Sequence, residues 1–556
     1  MPTININRKV FEKLVGKKLP DDKLKDRIGY LGTDLENMDK NEITTEIFPN
    51  RPDMLSVQGL ARALSSFIGV KTGLRKYEIE SSGEKVIIDK GMKNIRPFTA
   101  CAIVKGIKYD DERIKEVIEL QEKLHITYGR NRSKVAIGIY PFEKIQPPIR
   151  FTAKKPEEIV FRPLEFPRKI NARQILSQHP AGREYGHLLE GMDRFPVFID
   201  ANDNVLSVPP IINSHETGKI YESTNDVFIE CSGFDFNVLQ KCLNMIVTAM
   251  ADMGGKLYSM ELVYPDKRYT TPDLSPVKMK INLDYVNKRL GLALNQTSLK
   301  KLLERMGFGY EAKSKNVLIP AYRADILHQI DLVEDIAIAY GFENFDAVIP
   351  NLATTGAEDK FEIFKNRVAD ILVGLGLLQA NTFNLANKVH QAKLMEVEIT
   401  PLLLANALSQ EYNVLRAWVI PSMLECFKHN KHHDYPQRIF TIGEIFKKAK
   451  KPQADSTGVV ENNRLGVAIC NDSTDYTEIR QILDYLMSSI AVKYSIEETE
   501  HPSFIPGRVG RVAVNKKNVA YIGEISPKVL NNWSLEMPVS VFELNLTDLF
   551  EVIEKA

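Results

Sequence analysis

Between about residues 95 and 265, short apolar runs alternate with longer segments of helical periodicity, and nothing else in the chain narrows its fold as far. TACAIVKGI (99–107), VAIGIY (135–140), FPVFID (195–200), VLSVPPII (205–212) and DVFIECSG (226–233) are rich in β-branched and aromatic side chains and predict strands. DDERIKEVIELQEKLH (110–125) repeats Ile114, Val117, Ile118, Gln121 and Leu124 at helical spacing, and FNVLQKCLNMIVTAMADMGG (236–255) predicts a long helix closed by two glycines. The pattern predicts an α/β module over 90–268.

The rest divides around it. Residues 1–85 form a small mixed domain whose NRPDMLSVQGLARALSSFIG (50–69) carries an amphipathic helix with Leu60, Leu64, Phe67 and Ile68 on one face. SSGEK (81–85) reads as a linker. In 270–346, a strand and short helix (277–294), a second helix (296–308) capped by Thr297 or Ser298, and the extended NVLIP give a winged-helix-like outline. In 355–556 an opening helix precedes RIFTIGEIF, RLGVAIC, GRVAVN, VAYIGEIS and VSVFELNL, strands without βαβ alternation, as in an antiparallel sheet flanked by helices. The fold class is thus α+β and multidomain. The only low-complexity stretch is the lysine run FKKAKK (446–451).

Composition sets limits on function. Lys+Arg 73 against Asp+Glu 72 leaves a formal charge of +1, which neither demands nor excludes nucleic acid. The five cysteines lie far apart with no C-x-x-C pair, which argues against a zinc ribbon and suits a reducing, cytoplasmic setting. The N-terminal stretch lacks a signal-peptide core, and no apolar run approaches the ~20 residues that span a bilayer.

RADILHQIDLVED (323–335) crowds four carboxylates beside one arginine. On a helix starting near Ile330, Asp331, Glu334 and Asp335 fall at i, i+3 and i+4 and share a face, with Asp325 ahead of its first turn. Clustered oxygen donors suit Mg²⁺, while acids at a helix N-terminus also interact favourably with its dipole at ~0.3–1 kcal/mol each. Spacing alone leaves both readings open.

The surrounding PAYRADILHQIDLVEDIAIAYGFENF (320–345) resembles the signature of the β subunit of phenylalanyl-tRNA synthetase, archaeal and eukaryotic type. Further similar segments are FPNRPDMLSVQGLARAL (48–64), VIELQEKLHITYGRNRSKVAIGIY (117–140), LSVPPIINSHETGKI (206–220), YNVLRAWVIPSMLECFKHN (412–430) and HPSFIPGRVGRV (501–512). The resemblance implies that Asp325, Asp331, Glu334 and Asp335 bind Mg²⁺. It implies a C-terminal domain of class II synthetase type that is catalytically inert, since VSVFELNLTDLFEVIEKA (539–556) has no arginine to stabilise pyrophosphate. The partners implied are an α subunit in an α2β2 heterotetramer and tRNA(Phe), with ATP and phenylalanine entering through the α subunit and no membrane contact.

The resemblance also makes 90–268 an editing module that hydrolyses tyrosine wrongly joined to tRNA(Phe). An apolar pocket rejects an added hydroxyl only about 100-fold, so a second site must read that group. Candidates are Glu230, to accept the tyrosine hydroxyl, with Ser207, Asn213, Ser214 and Ser232 to position ester and water. His179, His187 and His215 lack a motif that singles them out. The stretch with Lys428, Lys431, His432, His433, Tyr435 and Arg438 reads as a solvated loop or a phosphate contact. The alternatives are a standalone nucleic-acid-binding protein and a standalone editing hydrolase.

Overall fold

The computed structural model describes residues 2–352, 354–449 and 457–555. The chain separates into two compact units, Met1–Val348 and Ile349–Ala556.

In the first unit a three-stranded antiparallel sheet places Glu42–Ile47 between Thr3–Asn7 and Thr33–Met38. Helix Val57–Phe67, capped by the Ser56 hydroxyl, buries nearly its whole length. Its apolar side chains merge with those of the helix Phe236–Asp252 and of residues 281–339 into one continuous core. That core crosses the module boundaries expected from sequence.

The centre of the unit is a ten-stranded sheet. Along it run Ile212–Asn213, Val205–Val208, Phe195–Ile199, Ile149–Lys154, Ile79–Ile88, Lys256–Val263, Phe98–Lys105, Val227–Gly233 and Val135–Pro141, with Arg268–Thr271 paired to Lys256–Val263. Two expectations change here. SSGEK is not a linker but part of strand Ile79–Ile88, so the boundary between 85 and 90 falls inside a strand. The α/β alternation does not build a parallel sheet: only Ile79–Ile88 runs parallel to its two neighbours, and every other junction is antiparallel. The helices Asp111–Ile126 and Phe236–Asp252 both pack into the same core on one face rather than crossing over to opposite faces.

Strand Val227–Gly233 is buried at every position. Val227, Ile229 and Cys231 join the helix-covered core, whereas Phe228 packs with Cys101, Ile103, Tyr140, Phe151 and Phe198 on the other face. Glu230 shares the face of Phe228, opposite Cys101 on one side and Gly138 on the other. The expected strand over 205–212 ends at Val208, before two prolines, and resumes only as Ile212–Asn213.

Residues 277–340 form three helices and the three-stranded antiparallel sheet Val277–Lys280, Asn316–Ile319 and Gly309–Glu311. Helix Gln296–Arg305 is capped by Asn295, not by Thr297 or Ser298, because the Asn295 side chain accepts the Ser298 N–H at 2.9 Å.

The second unit holds a seven-stranded sheet in the order Leu378–Gln379, Gln437–Lys448, Val459–Cys470, Val539–Asn545, Lys517–Ile525, Phe504–Val514 and Ser495–Glu498. It is antiparallel except for the two-residue pairing at its first edge. Helices Lys360–Gly374, Tyr476–Ser489 and Leu546–Glu554 cover one face, and a second apolar cluster with Trp533 covers part of the other. Lys447 and Lys448 end a strand, while Lys450 and Lys451 of the lysine run lie outside the described residues.

Candidate functional site

Glu230 sits in the middle of an apolar strand, 1% exposed. The phenol of Tyr140, on the last strand of the sheet, donates to Glu230 Oε1 at 3.2 Å and lies 3.4 Å from Asn213 Oδ1 on the strand at the opposite end. The sheet therefore curls until its two edges meet over this carboxyl. Glu230 Oε2 and Ser207 Oγ are buried without a hydrogen-bond partner, the kind of orphaned polar group that native interiors rarely tolerate without a role. Burial raises the Glu230 carboxyl to about 8, against the pull of the Arg96 guanidinium, so at neutral pH it is largely protonated.

Gly138 makes this geometry possible. A Cβ at that position would lie 2.1 Å from the Tyr140 hydroxyl. The missing side chain opposite Glu230 leaves the space in which the phenol stands.

The cavity beside these groups measures about 100 Å³ and is lined by Ser207, Asn213, Glu230, His125, Arg132 and the turn 209–212. It is smaller than the ~300–1,000 Å³ of drug-sized ligand clefts and is sized for a polar end group and water. Of the five candidates from sequence, Ser207, Asn213 and Glu230 converge here. Ser214 and Ser232 do not line the cavity. The Ser214 hydroxyl donates to Glu216 at 3.2 Å, and Ser232 Oγ accepts from Arg96 Nε at 3.1 Å. The histidines first considered are also elsewhere: His179 caps a short helix, His187 meets the Glu184 carbonyl, and His215 accepts the Glu165 N–H.

Tyr140, Glu122, His125 and Arg132 were missed. The spacing of Glu122 and His125 at i and i+3, followed across a turn by Arg132, is a signal that could have marked three of them. His125 is 3% exposed, and burial lowers its pKa; Nδ1 faces Glu122 Oε1 at 3.0 Å while Nε2 accepts the Ile137 N–H at 2.8 Å. Both ring nitrogens are committed, so His125 is a positioning residue and not a free base. Arg132 donates to Glu122 at 3.1 Å and to the Ile211 carbonyl at 2.9 Å, tying the cavity turn to the helix. Arg130, Asn131 and Arg132 all have positive φ, at 48°, 50° and 63°. Each costs roughly 1–2 kcal/mol for an L-residue, and such strain gathers at functional sites.

The acidic quartet is arranged differently from expectation. Helix Gln329–Tyr340 begins after His328, and Asp331 Oδ2 accepts the N–H groups of Leu327 and His328, each at 2.8 Å. Arg323, 3% exposed, forks onto Asp325 at 2.8 and 2.7 Å and reaches Asp335 at 2.7 Å. Glu334 is exposed. Burial alone would raise Asp325, but Arg323 holds it below the usual carboxylate range; Asp335, with only one contact to that arginine, is raised by burial. Arg51 forks onto Asp53 in the same i, i+2 manner, at 2.8 and 2.9 Å, and its field reaches Arg323 and Asp325. Two Arg-x-Asp motifs that are 272 positions apart, counting from Arg51 to Arg323, therefore meet in one buried charged corner. All four donors are oxygens, as a hard dication requires, and with Asp53 they outnumber the two guanidinia of Arg51 and Arg323, so their chemistry fits Mg²⁺. The side chains are not collected round a point, however: among the described residues no group of three or more His, Cys, Asp or Glu is placed to hold a metal ion.

Residues 279–342 match the tRNA synthetase B5 domain, and 346–546 match the phenylalanyl tRNA synthetase beta chain CLM domain. The chain is 40% identical over 559 residues to the phenylalanine–tRNA ligase beta subunit of Pyrococcus furiosus, covering 99% of this chain and 100% of that one. It is 36% identical over 562 residues to that of Archaeoglobus fulgidus, covering 100% of each. The crystal structure of an N-terminal fragment of the Pyrococcus horikoshii phenylalanyl-tRNA synthetase β-subunit superposes at a TM-score of 0.59 and 38% identity, over 61% of this chain and all of the fragment. With end-to-end similarity at this level and both domain signatures in order, the chain belongs to the family of phenylalanine–tRNA ligase beta subunits.

Proposed function

We propose that this chain is the non-adenylating half of a cytoplasmic, heteromeric phenylalanine–tRNA ligase, holding an α subunit in an α2β2 assembly and removing tyrosine wrongly joined to tRNA(Phe). The alternatives of a standalone nucleic-acid-binding or editing protein find no support, because the similarity to beta subunits runs the length of the chain. Among the described residues no helix is long and apolar enough to cross a membrane.

The observation that carries the editing reading is the buried carboxyl of Glu230 with one oxygen unpartnered, beside Ser207 and Asn213. The protein's own Tyr140 phenol rests on the other oxygen, so the corner is already built to accept a phenolic hydroxyl. A tyrosyl ring entering from the cavity would find the second oxygen, whereas a phenylalanyl ring would leave it dry and unpaired. That penalty, ~1–3 kcal/mol, is the basis for keeping the correct ester. Ser207 and Asn213 would orient the ester and its water. Ser214 and Ser232 act behind this wall, through Glu216 and Arg96.

The scaffold reading draws on the second unit, which exposes Leu378, Phe383, Leu403 and Leu408 at 65% or more. Large apolar side chains left this exposed are what a partner surface would cover. The division of modules into N-terminal, editing, winged-helix-like and inert class II-like parts belongs to this same proposal. Mg²⁺ would engage the free oxygens of Asp331, Glu334 and Asp335, with Asp325 kept by Arg323; it would supply counter-charge that the guanidinia of Arg51 and Arg323 leave short.

The test is expression with and without the α subunit. The pair should attach phenylalanine and clear tyrosyl-tRNA(Phe), and this chain alone should form no phenylalanyl adenylate. Adenylate formed by the lone chain, or tyrosyl-tRNA cleared equally by the α subunit without it, would overturn the reading.

A further inference from the structure

One cavity of the second unit has no part in that reading. A cavity of about 440 Å³ opens on the sheet face opposite the three covering helices. Strand register explains why it lies there. Gly466, Glu543, Tyr521 and Arg511 are paired in one row across four strands, and Arg464 stands two residues from Gly466 on the same face. The neighbouring apolar cluster covers one end of this face with Val509, Val541 and Ala468 and stops short of the charged end. Trp418, His501 and Phe504 wall the cavity, and Lys447 and Lys448 line it from the next strand.

Its charge is one-sided. Four cations, Lys447, Lys448, Arg464 and Arg511, face one carboxylate. That carboxylate, Glu543, is committed elsewhere: it is 7% exposed and accepts the N–H groups of Val419 and Ile420 at 2.9 and 3.2 Å, where helix Ile420–His429 begins without another side-chain cap. Among the described residues none of the four cations makes an ion pair with it or with any other acid. Arg464 Nε is buried with no hydrogen-bond partner. The Arg511 guanidinium carbon sits over the Tyr521 ring, 3.9 Å from its centroid, a cation–π contact that holds the group in place. Partial desolvation and then repulsion from Arg464 lower the Lys447 ammonium, although that residue as a whole is exposed.

Unpaired cations gathered beside Trp418, His501 and Tyr521 want a ligand with both negative charge and a flat ring. We propose that this cavity binds a nucleoside phosphate, with its phosphate on Arg464, Arg511 and Lys447 and its base against the aromatic wall. The volume lies within the ~300–1,000 Å³ range of small-molecule clefts. The proposal is independent of adenylation: the cavity holds the nucleotide, or the end of an RNA strand, without cleaving it.

Trp418 provides the readout. The chain has two tryptophans, and the other, Trp533, is fully buried in the apolar cluster. Purified full-length chain is titrated with ATP, AMP, adenosine, pyrophosphate and a short single-stranded RNA while tryptophan fluorescence is followed, with equilibrium dialysis of labelled ATP in parallel. Saturable quenching by a phosphorylated nucleoside is expected with Kd of roughly 10–500 μM. Whichever of ATP, AMP and RNA binds tightest identifies the source. Arg464→Gln and Arg511→Gln should each weaken it about tenfold or more at unchanged melting temperature. Should either fail to fold, Lys447→Gln, at an exposed position, takes its place. No saturable signal up to about 5 mM would overturn the proposal. So would pyrophosphate binding as tightly as ATP, or variants that bind like the parent.

Discussion

Tyr140 and Glu230 meet at 3.2 Å on neighbouring strands, phenol to carboxyl and both buried, beside the seam where Tyr140 also faces Asn213 of the opposite sheet edge at 3.4 Å. The contact leaves one oxygen of Glu230 unused, and that spare valence is what an editing site needs. Glu230→Gln should keep the phenol contact but lose the acid proton, and Glu230→Ala should lose both. Hydrolysis of tyrosyl-tRNA(Phe) is expected to fall about 10- to 100-fold in the alanine variant, with phenylalanine attachment nearly unchanged. Unaltered clearance would remove Glu230 from the site.

The same carboxyl gives the first unit a pH signature. Its folded pKa of about 8 lies above the ordinary 4.5, so between those values the unfolded chain releases a proton that the folded chain keeps. Stability is therefore greatest below about pH 4.5 as far as this group is concerned, and it declines as pH rises towards 8. The effect is on the order of 2–5 kcal/mol across that window. Glu230→Gln has no proton to lose, so its melting temperature should gain on the parent's from pH 5 to pH 8. A constant difference over that range would show that the carboxyl is not held protonated.

Gly138 is the steric counterpart. Alanine there must displace the Tyr140 hydroxyl, which lies 2.1 Å from the new Cβ. Overpacking of this kind costs typically ~1–3 kcal/mol, and it should move Tyr140 off Glu230 and Asn213. The expected outcome is a lowered melting temperature and lost tyrosyl-tRNA clearance; Gly138→Ala combined with Tyr140→Phe, which removes the nearest clashing atom but keeps the ring carbons at 2.6 Å, should recover only a small part of the stability and none of the clearance.

Which parts of this were legible in the sequence follows from the range of the forces involved. Helices Asp111–Ile126, Phe236–Asp252 and Gln329–Tyr340 are set by local periodicity and caps, and their apolar spacing displays them. The pairing of strands is not local. Ile79–Ile88 reads as a polar linker because Ser81, Ser82, Gly83 and Glu84 dominate it, yet it is held between Lys256–Val263 and Ile149–Lys154 by backbone bonds that side-chain pattern does not record. Glu230 is conspicuous as a charge inside an apolar run; Tyr140 is an ordinary strand aromatic until strand pairing sets it diagonally against Glu230 and the closing of the sheet brings Asn213 to its hydroxyl. The quartet shows the converse. Its one-face spacing is real, but the sequence gives no hint that Arg323 turns inward to claim Asp325 and Asp335.

Arg323 therefore carries the most decisive substitution in the charged corner. It is 3% exposed and serves two carboxylates while stacking on Phe308 at 5.0 Å. Removing it as Arg323→Ala leaves Asp325 and Asp335 buried without their direct ion-pair partner and with only the field of Arg51, a loss of up to roughly 3–5 kcal/mol that should show as a lowered melting temperature of the first unit. Lysine keeps the charge but cannot fork onto Asp325 and reach Asp335 together, so Arg323→Lys should recover only part of it. Divalent cation discriminates the two sources of counter-charge. If Mg²⁺ engages Asp331, Glu334 and Asp335, millimolar Mg²⁺ should raise the melting temperature of the parent and raise that of Arg323→Ala further, with chelator reversing both. If chelator and Mg²⁺ leave both proteins unmoved, the guanidinia of Arg323 and Arg51 neutralise the corner without a metal and the metal assignment falls, while Arg323→Ala still melts early.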